Sequence, residues 1–353
     1  MYKYKQVSGG LKMKIALVAG GTLGHITPGL IIAKELSKKH DVIYITTKKD
    51  KRFTCFNDKD FLKQIYYIDS KGLSRKLFKN LSAFTKNIKA YFEIRKILKE
   101  EKVDLVIGMG GYISGISIFC ASLLKIKSMI HEQNKVMGFA NKLVTKRVNK
   151  ILLTYDIPEY KASNVYVVGN PSMFVERPNI YKQTQHILIT SGSNGAKEIN
   201  DLAIKLINND YLSNYEITLV TGKKYYDEVI KNIIKKPNVN IIAFTNNMKE
   251  YIYKSSIIIS RAGSSTISEA IGLHTIPLLI PSKNVTNDHQ TKNALEVSRL
   301  GLGEVTNDFE ELVDDVLKLI KRIENNKDIY LKNIKNYKNK YSLEKIISII
   351  EGE

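Results

Sequence analysis

Residues 257–293 read IIISRAGSSTISEAIGLHTIPLLIPSKNVTNDHQTKN. The apolar run at residues 257–259 predicts a buried strand. Ser260, Arg261 and the small residues 263–265 make a loop carrying hydroxyls, and a helical pattern with Glu269 in its first turns follows. Residues 276–280 form a second short strand punctuated by Pro277 and Pro281. Strand, small-residue loop and helix N-terminus together present backbone N–H groups to a phosphate or another anion. A carboxylate one turn into that helix would repel phosphate but suits ribose hydroxyls. The stretch therefore reads as a site for a nucleotide with a ribose and a phosphate; the competing reading is a capped turn with a surface glutamate.

A chain of 353 residues predicts two domains. Its 43% hydrophobic content fits a soluble globular protein. Two distant cysteines, Cys55 and Cys120, offer neither a disulfide framework nor metal spacing and suit a reducing compartment. The 55 Lys+Arg against 35 Asp+Glu give a net charge of +20, which suits nucleic acid or an anionic membrane surface. Lys, Asn, Ile and Tyr are abundant throughout, so charge alone does not choose between the two. The longest apolar run, residues 116–124, ends at Lys125 and is too short to span a bilayer. IALVA at residues 15–19 leads into glycines and a helix, and reads as a first strand rather than a signal peptide. Met13 reads as the natural start, with residues 1–12 a dispensable extension.

The loop after that strand, GGTLGHITPG at residues 20–29, feeds a helix N-terminus. Against the dinucleotide fingerprint G-x-G-x-x-G, Ala19 replaces the first glycine while Gly21 and Gly24 fit. His25 and Pro28 argue against a nicotinamide site. Residues 42–46 predict the next strand and residues 71–101 a basic amphipathic helix, either core-facing or lying on a membrane. Strands at 105–108 and 128–130 enter MGGYISG and HEQN, so polar residues collect at the ends of successive strands. Strands at 151–154 and 165–168 precede GNPS at 169–172. From residue 187, ILITSGSNGAKEINDLAIKLI repeats the plan of IALVAGGTLGHITPGLIIAKEL, an internal duplication that predicts two Rossmann-like halves with a cleft between them. Strands at 216–220 and 239–243 continue the second half, and residues 332–353 predict a single amphipathic helix.

GGTLGHITPGL, GMGGYISG, HEQN, GNP, SGSNGAKEIN, SRAGSSTISE and DHQTKNA occur in an order and spacing that resemble the MurG family. Its members are bacterial transferases that move N-acetylglucosamine from UDP-GlcNAc to lipid I, the undecaprenyl-diphosphate-linked muramyl pentapeptide. The resemblance covers nearly everything from Met13 onward. It implies an α/β GT-B fold of two Rossmann-like doubly wound parallel-sheet domains, with lipid I bound by residues 13–170 and UDP-GlcNAc by residues 171–331. Residues 332–353 would pack back toward the first domain. The donor site would comprise Ser193, Asn194 and Gly195 at the phosphates, with Gly263, Ser264, Ser265 and Thr266 at the helix start. Glu269 would hold the ribose, Phe244 and Thr245 the uracil, and Gln290 and Asn293 the sugar. Thr22, Gly24 and Asn134 would approach the donor from the first domain. Gly21, His25, Gly110, Gly111, Tyr112 and Ser114 would hold the acceptor.

By the same resemblance the reaction inverts the anomeric centre by direct displacement and uses no protein-bound metal or cofactor, because loop amides and helix N-termini neutralise the leaving UDP. His25 is the candidate base for the acceptor's C4 hydroxyl and Glu132 the second candidate. Three departures stand out: Leu23 for a small residue, Ser191 for a glycine, and Met173 for an arginine that approaches the donor phosphates, a role open to Arg177 or Lys197. A lipid-anchored acceptor makes the membrane reading of residues 71–92 the favoured one, with Leu77, Phe78, Leu81 and Phe84 dipping into the cytoplasmic leaflet among anionic lipids. Expected partners are UDP-GlcNAc, lipid I, the cell membrane from its cytoplasmic side, and other cell-wall synthesis or division proteins, not nucleic acid. The alternatives are a related GT-B transferase with another lipid or glycan acceptor, a UDP-GlcNAc 2-epimerase, and a non-catalytic UDP-GlcNAc-binding scaffold.

Overall fold

The computed structural model describes all residues except 1–5, 8–9, 58, 73–80, 183–184, 193–194, 283–287, 307–309 and 353. The chain divides into two compact units, Met1–Pro171 with Leu343–Glu353, and Ser172–Ser342.

The first unit is a seven-stranded sheet with every pairing parallel. Its strands are β1 (Lys14–Val18), β2 (Asp41–Thr47), β3 (Gln64–Ile68), β4 (Leu105–Gly108), β5 (Lys127–Glu132), β6 (Lys150–Leu153) and β7 (Val165–Val167), in the order β3-β2-β1-β4-β5-β6-β7. The helices are α1 (Leu23–Leu36), α2 (Leu81–Glu100), α3 (Tyr112–Leu123) and α4 (Phe139–Val144). Helices on both faces require unbroken apolar strands, and Ile15, Ala16, Leu17 and Val18 are all fully buried.

The second unit repeats the plan with six parallel strands. These are β8 (His186–Thr190), β9 (Glu216–Val220), β10 (Val239–Ile242), β11 (Ile257–Ser260), β12 (Ile276–Leu279) and β13 (Glu304–Val305), in the order β10-β9-β8-β11-β12-β13. Its helices are α5 (Lys197–Asn208), α6 (Tyr226–Asn232), α7 (Met248–Lys254), α8 (Ser264–Gly272), α9 (His289–Arg299), α10 (Leu312–Asn325) and α11 (Lys327–Asn339). In both sheets the order reverses beside the first strand of its series. A doubly wound sheet binds ligands at that point, beyond the carboxyl ends of its strands. The loops that matter are therefore those after β1 and β4 in one unit, and after β8 and β11 in the other.

The structure corrects two sequence expectations. The helix predicted over 71–101 begins at Leu81 among the described residues, and Lys71 lies outside it. The Lys71 amide donates to Asn87 Oδ1 (3.1 Å) and the Asn87 amide returns to the Lys71 carbonyl (2.9 Å), so the backbone there is held by a side chain instead of a helical ladder. The tail expected as one helix over 332–353 is two: α11 ends at Asn339, and α12 (Leu343–Glu351) belongs to the first unit. It buries Ile346, Ile347 and Ile350, and Glu351 meets His40 at 3.0 Å. Each such isoleucine contributes about 1.5–3 kcal/mol.

Candidate functional site

In the first unit the loops after β1 and β4 interlock. Gly20 and Gly21 leave β1, Thr22 precedes α1, and His25 stands in the first turn of that helix. The Thr22 hydroxyl sits 3.2 Å from His25 Nδ1 instead of capping a helix amide. Gly110 (φ +113°) and Gly111 (φ +83°) leave β4 in left-handed conformations that suit glycine. A methyl group at Gly110 would fall 2.6 Å from His25 Cδ2 and 2.9 Å from Nε2; one at Gly111 would fall 2.5 Å from the Gly20 carbonyl oxygen. The imidazole thus lies against bare backbone. Gly111→Ala is expected to destabilise this unit by about 1–3 kcal/mol through strain and overlap, read as a lower Tm.

Tyr112 opens α3 with its ring against Gly72, half exposed beside these loops. Ser114 is placed differently from its expected acceptor role: it is fully buried, and its hydroxyl packs on Gly108 beneath the loop. Glu132 also departs from its candidate role as base. It is 2% exposed, Oε1 accepts from the Asn134 amide (3.1 Å) and Asn134 Nδ2 (3.0 Å), and Oε2 accepts from the Gly138 amide (2.8 Å) and Asn141 Nδ2 (2.9 Å). A carboxylate with four protein donors clasps its loop and has little lone-pair capacity left for a substrate proton. Its neighbour His131, fully buried with Nε2 3.0 Å from the Gly169 carbonyl, is pushed by burial down to about 4 and stays neutral.

In the second unit Gly192 (φ +81°) and Gly195 (φ +71°) carry the left-handed turns between β8 and α5, and Ser191 does not. Ser193 and Asn194 lie outside the described residues. A methyl group on Gly195 would fall 2.3 Å from the Thr221 carbonyl oxygen, so this loop rests directly on the end of β9. After β11, Gly263 starts α8, and the amides of Ser264, Ser265 and Thr266 face out of its N-terminus as helix geometry requires. One turn on, Glu269 carries the perturbation expected at a ligand site. Burial raises its carboxyl from 4.5 to about 7, and no protein donor or cation among the described residues meets it.

Phe244 and Thr245 follow β10, with the Lys223 ammonium 5.0 Å from the Phe244 ring centre. Gln290, in α9, accepts from the Ser282 amide at 2.9 Å through Oε1. Asn293, expected at the sugar, is fully buried and gives its amide to the Ala262 carbonyl (3.3 Å), so it ties α9 to the loop before α8. Arg261, which the sequence reading left without a role, joins the same loops: it donates to the Ile280 (3.2 Å) and Pro281 (3.3 Å) carbonyls and pairs with Glu198.

The two proposed stand-ins for the missing arginine are placed differently: Lys197 is the first residue of α5, just after the loop at residues 192–195, whereas Arg177 lies far from that loop in sequence. Lys197 is paired with Asp201 and Glu228. Arg177 lies near enough to His274, Lys182 and Lys338 to lower their affinity for protons. That places it at the carboxyl end of α8, where Lys338 donates to the Gly272 carbonyl (2.8 Å), about 13 Å from the N-terminus of this nine-residue helix. Met173 is 1% exposed, with its backbone against Gly272, and fills the core. Among the described residues no three His, Cys, Asp or Glu side chains gather as a metal site.

Residues 15–153 match the glycosyltransferase family 28 N-terminal domain, and residues 186–347 its C-terminal domain. The chain is 34% identical over 302 residues to the UDP-N-acetylglucosamine–N-acetylmuramyl-(pentapeptide) pyrophosphoryl-undecaprenol N-acetylglucosamine transferase of Leuconostoc mesenteroides, covering 80% of this chain and 82% of that one. It is 34% identical over 309 residues to the transferase of the same name from Acetivibrio thermocellus, covering 82% and 83%. The crystal structure of Acinetobacter baumannii MurG superposes with a TM-score of 0.73 at 24% identity, covering 97% of this chain and all of that one, and so shares the fold.

Proposed function

Because this chain belongs to glycosyltransferase family 28, and within it to the MurG transferases, we propose that it moves N-acetylglucosamine from UDP-GlcNAc to the C4 hydroxyl of the muramyl sugar of lipid I, inverting the anomeric centre, in peptidoglycan synthesis. Glu269 carries the reading: a carboxylate raised to about 7, met by no protein donor among the described residues, one turn into a helix that starts at a small-residue loop. Ribose hydroxyls supply the donors it lacks, and the α8 amides take the diphosphate. The Phe244 turn holds uracil and Gln290 the sugar. On the acceptor side His25 accepts the C4 hydroxyl proton at Nε2 as the oxygen attacks the anomeric carbon and the bond to UDP breaks; Nδ1–H then donates to the Thr22 hydroxyl. The amides neutralise the departing diphosphate without a protein-bound metal.

The test is transfer of labelled GlcNAc to a lipid I analogue, with a no-acceptor control and with EDTA. Label in the lipid with EDTA harmless supports the reading. UDP-GlcNAc converted without acceptor points to an epimerase, and binding without turnover to a scaffold.

Among the described residues no helix is long and apolar enough to cross a membrane. We propose peripheral attachment to the cytoplasmic leaflet through the first domain. Leu77 and Phe78 lie outside the described residues, and Leu81 opens α2. Phe84 (61% exposed) does project, followed at helical spacing by Ile88 and Phe92, also exposed. Packing of α2 on α3 and of α3 on α4 extends this apolar surface with Phe119, Leu123, Phe139 and Leu143. Exposed Lys86, Lys89, Lys96, Lys142, Lys146 and Arg147 accompany it, each contributing about 1 kcal/mol near anionic headgroups. Changing Phe84, Ile88 and Phe92 together to serine is expected to weaken binding to phosphatidylglycerol vesicles by about tenfold or more while leaving UDP binding intact. Undiminished vesicle sedimentation would remove this surface from consideration.

A further inference from the structure

We infer that Asp50 is a positioning residue for the transfer reaction: from beneath the first domain's glycine loops it fixes the backbone from which His25 is presented. The inference rests on the reading of His25 given above.

Asp50 lies in the run KKDKR at residues 48–52, a short 3₁₀ turn directly after β2. Its four neighbours in that run are basic, yet its own side chain is fully buried. Both carboxylate oxygens face the Gly21 amide, at 3.2 Å and 3.0 Å. Oδ2 also accepts from Thr46 Oγ1 (2.9 Å), the Thr47 amide (3.1 Å) and Thr47 Oγ1 (2.6 Å). Among the described residues every donor to this carboxylate is a neutral amide or hydroxyl. Hydrogen bonds to a carboxylate are charge-assisted and about twice as strong as neutral ones.

The position of the tie gives it consequence. Gly21 sits at φ +91°, the left-handed step that turns the chain from β1 into α1. Beside it Gly20 is boxed in: a methyl group there would lie 2.8 Å from Thr47 Cγ2 and 3.1 Å from Asp50 Oδ2. The Gly20 carbonyl presses on Gly111, and His25 packs on Gly110. A chain of close contacts thus runs from the carboxylate through residues 20–21 to both acceptor loops and the imidazole. The Gly21 N–H points inward to Asp50, so the loop's anion-facing amides are those further along, at the start of α1. Asp50 does not touch the proposed base, and it meets the acceptor loop only through the Gly21 backbone amide. Its effect is on where they stand, and misplacing a reacting group by about 1 Å costs roughly a hundredfold in rate.

Asp50→Asn keeps the shape but removes the charge and one acceptor. Expected results are a kcat for transfer lowered about tenfold or more at saturating lipid I, and a UDP-GlcNAc KM within twofold of the parent. The Gly21 amide proton should also move upfield in ¹⁵N-glycine spectra. Thr46→Val removes a different donor from the same carboxylate and touches neither loop. It should lower Tm comparably while keeping kcat within threefold and the Gly21 resonance in place. An Asp50→Asn enzyme with kcat within twofold and an unmoved Gly21 amide overturns the inference, as does a Thr46→Val enzyme equally slow. If the parent itself fails to transfer GlcNAc, the functional reading fails, while the Gly21 resonance still decides whether Asp50 holds the loop.

Discussion

Replacing His25 with alanine is expected to lower kcat for GlcNAc transfer by about 10²- to 10⁴-fold, the usual contribution of a positioned general base, with UDP-GlcNAc affinity unchanged. The imidazole belongs to the first domain, where Thr22 Oγ1 meets Nδ1 and the bare backbone of Gly110 leaves room for the ring. With Nδ1–H donating to Thr22, Nε2 is the acceptor. Glu132→Gln is expected to cost far less in kcat, because Glu132 is occupied by four donors and its loss is felt as a loosened loop. A Glu132→Gln enzyme as slow as expected for His25→Ala, with His25→Ala itself close to the parent, would reverse the assignment.

The second large effect falls on donor affinity. Glu269→Gln is expected to weaken UDP-GlcNAc binding by about ten- to a hundredfold, since hydrogen bonds to a charged group contribute about 1.5–3 kcal/mol. The pH dependence has a definite sign. The free carboxyl, raised to about 7 by burial, is a good acceptor for ribose hydroxyls only when ionised, so affinity should tighten as pH rises through 7, with release of a proton. Titration calorimetry in buffers of different ionisation enthalpy reads both, and the Gln enzyme should show neither. Folding runs the opposite way. The folded carboxyl binds its proton more tightly than the unfolded one, so its contribution to stability falls as pH rises from about 4.5 through 7. The Gln enzyme should therefore gain Tm relative to the parent at pH 8.

The sheets were legible because strands covered on both faces must be apolar throughout, and IALVA, LVIG and ILIT have no other reading of comparable length. The glycine loops were legible because left-handed backbone beside a strand end demands glycine. Strand β3, QIYYI, escaped: it is an edge strand whose first residue is exposed and whose next three are only partly buried, so no clean pattern survives. Asp50 escaped because one acid in a basic run looks solvated, and only the fold turns it inward. Motif membership likewise says which residues belong near a site without saying which face it. Ser114 and Asn293 sit in the right segments but point into the core, where one lies under Gly108 and the other braces Ala262.

The return of α12 to the first domain affects how the molecule is made. That domain's seven strands have all been synthesised by Val167, yet the helix that covers part of α1 is completed only at Glu351, roughly 180 residues later. At about 5–20 residues per second of synthesis, the wait is on the order of 10–40 s. During that interval Ile346, Ile347 and Ile350 have not yet been made, and the apolar surface they will cover stands open to chaperones and to neighbouring nascent chains. The second domain, whose segment is continuous from Ser172 to Ser342, can close on itself first. The usual N-to-C order of domain completion on the ribosome is thereby inverted.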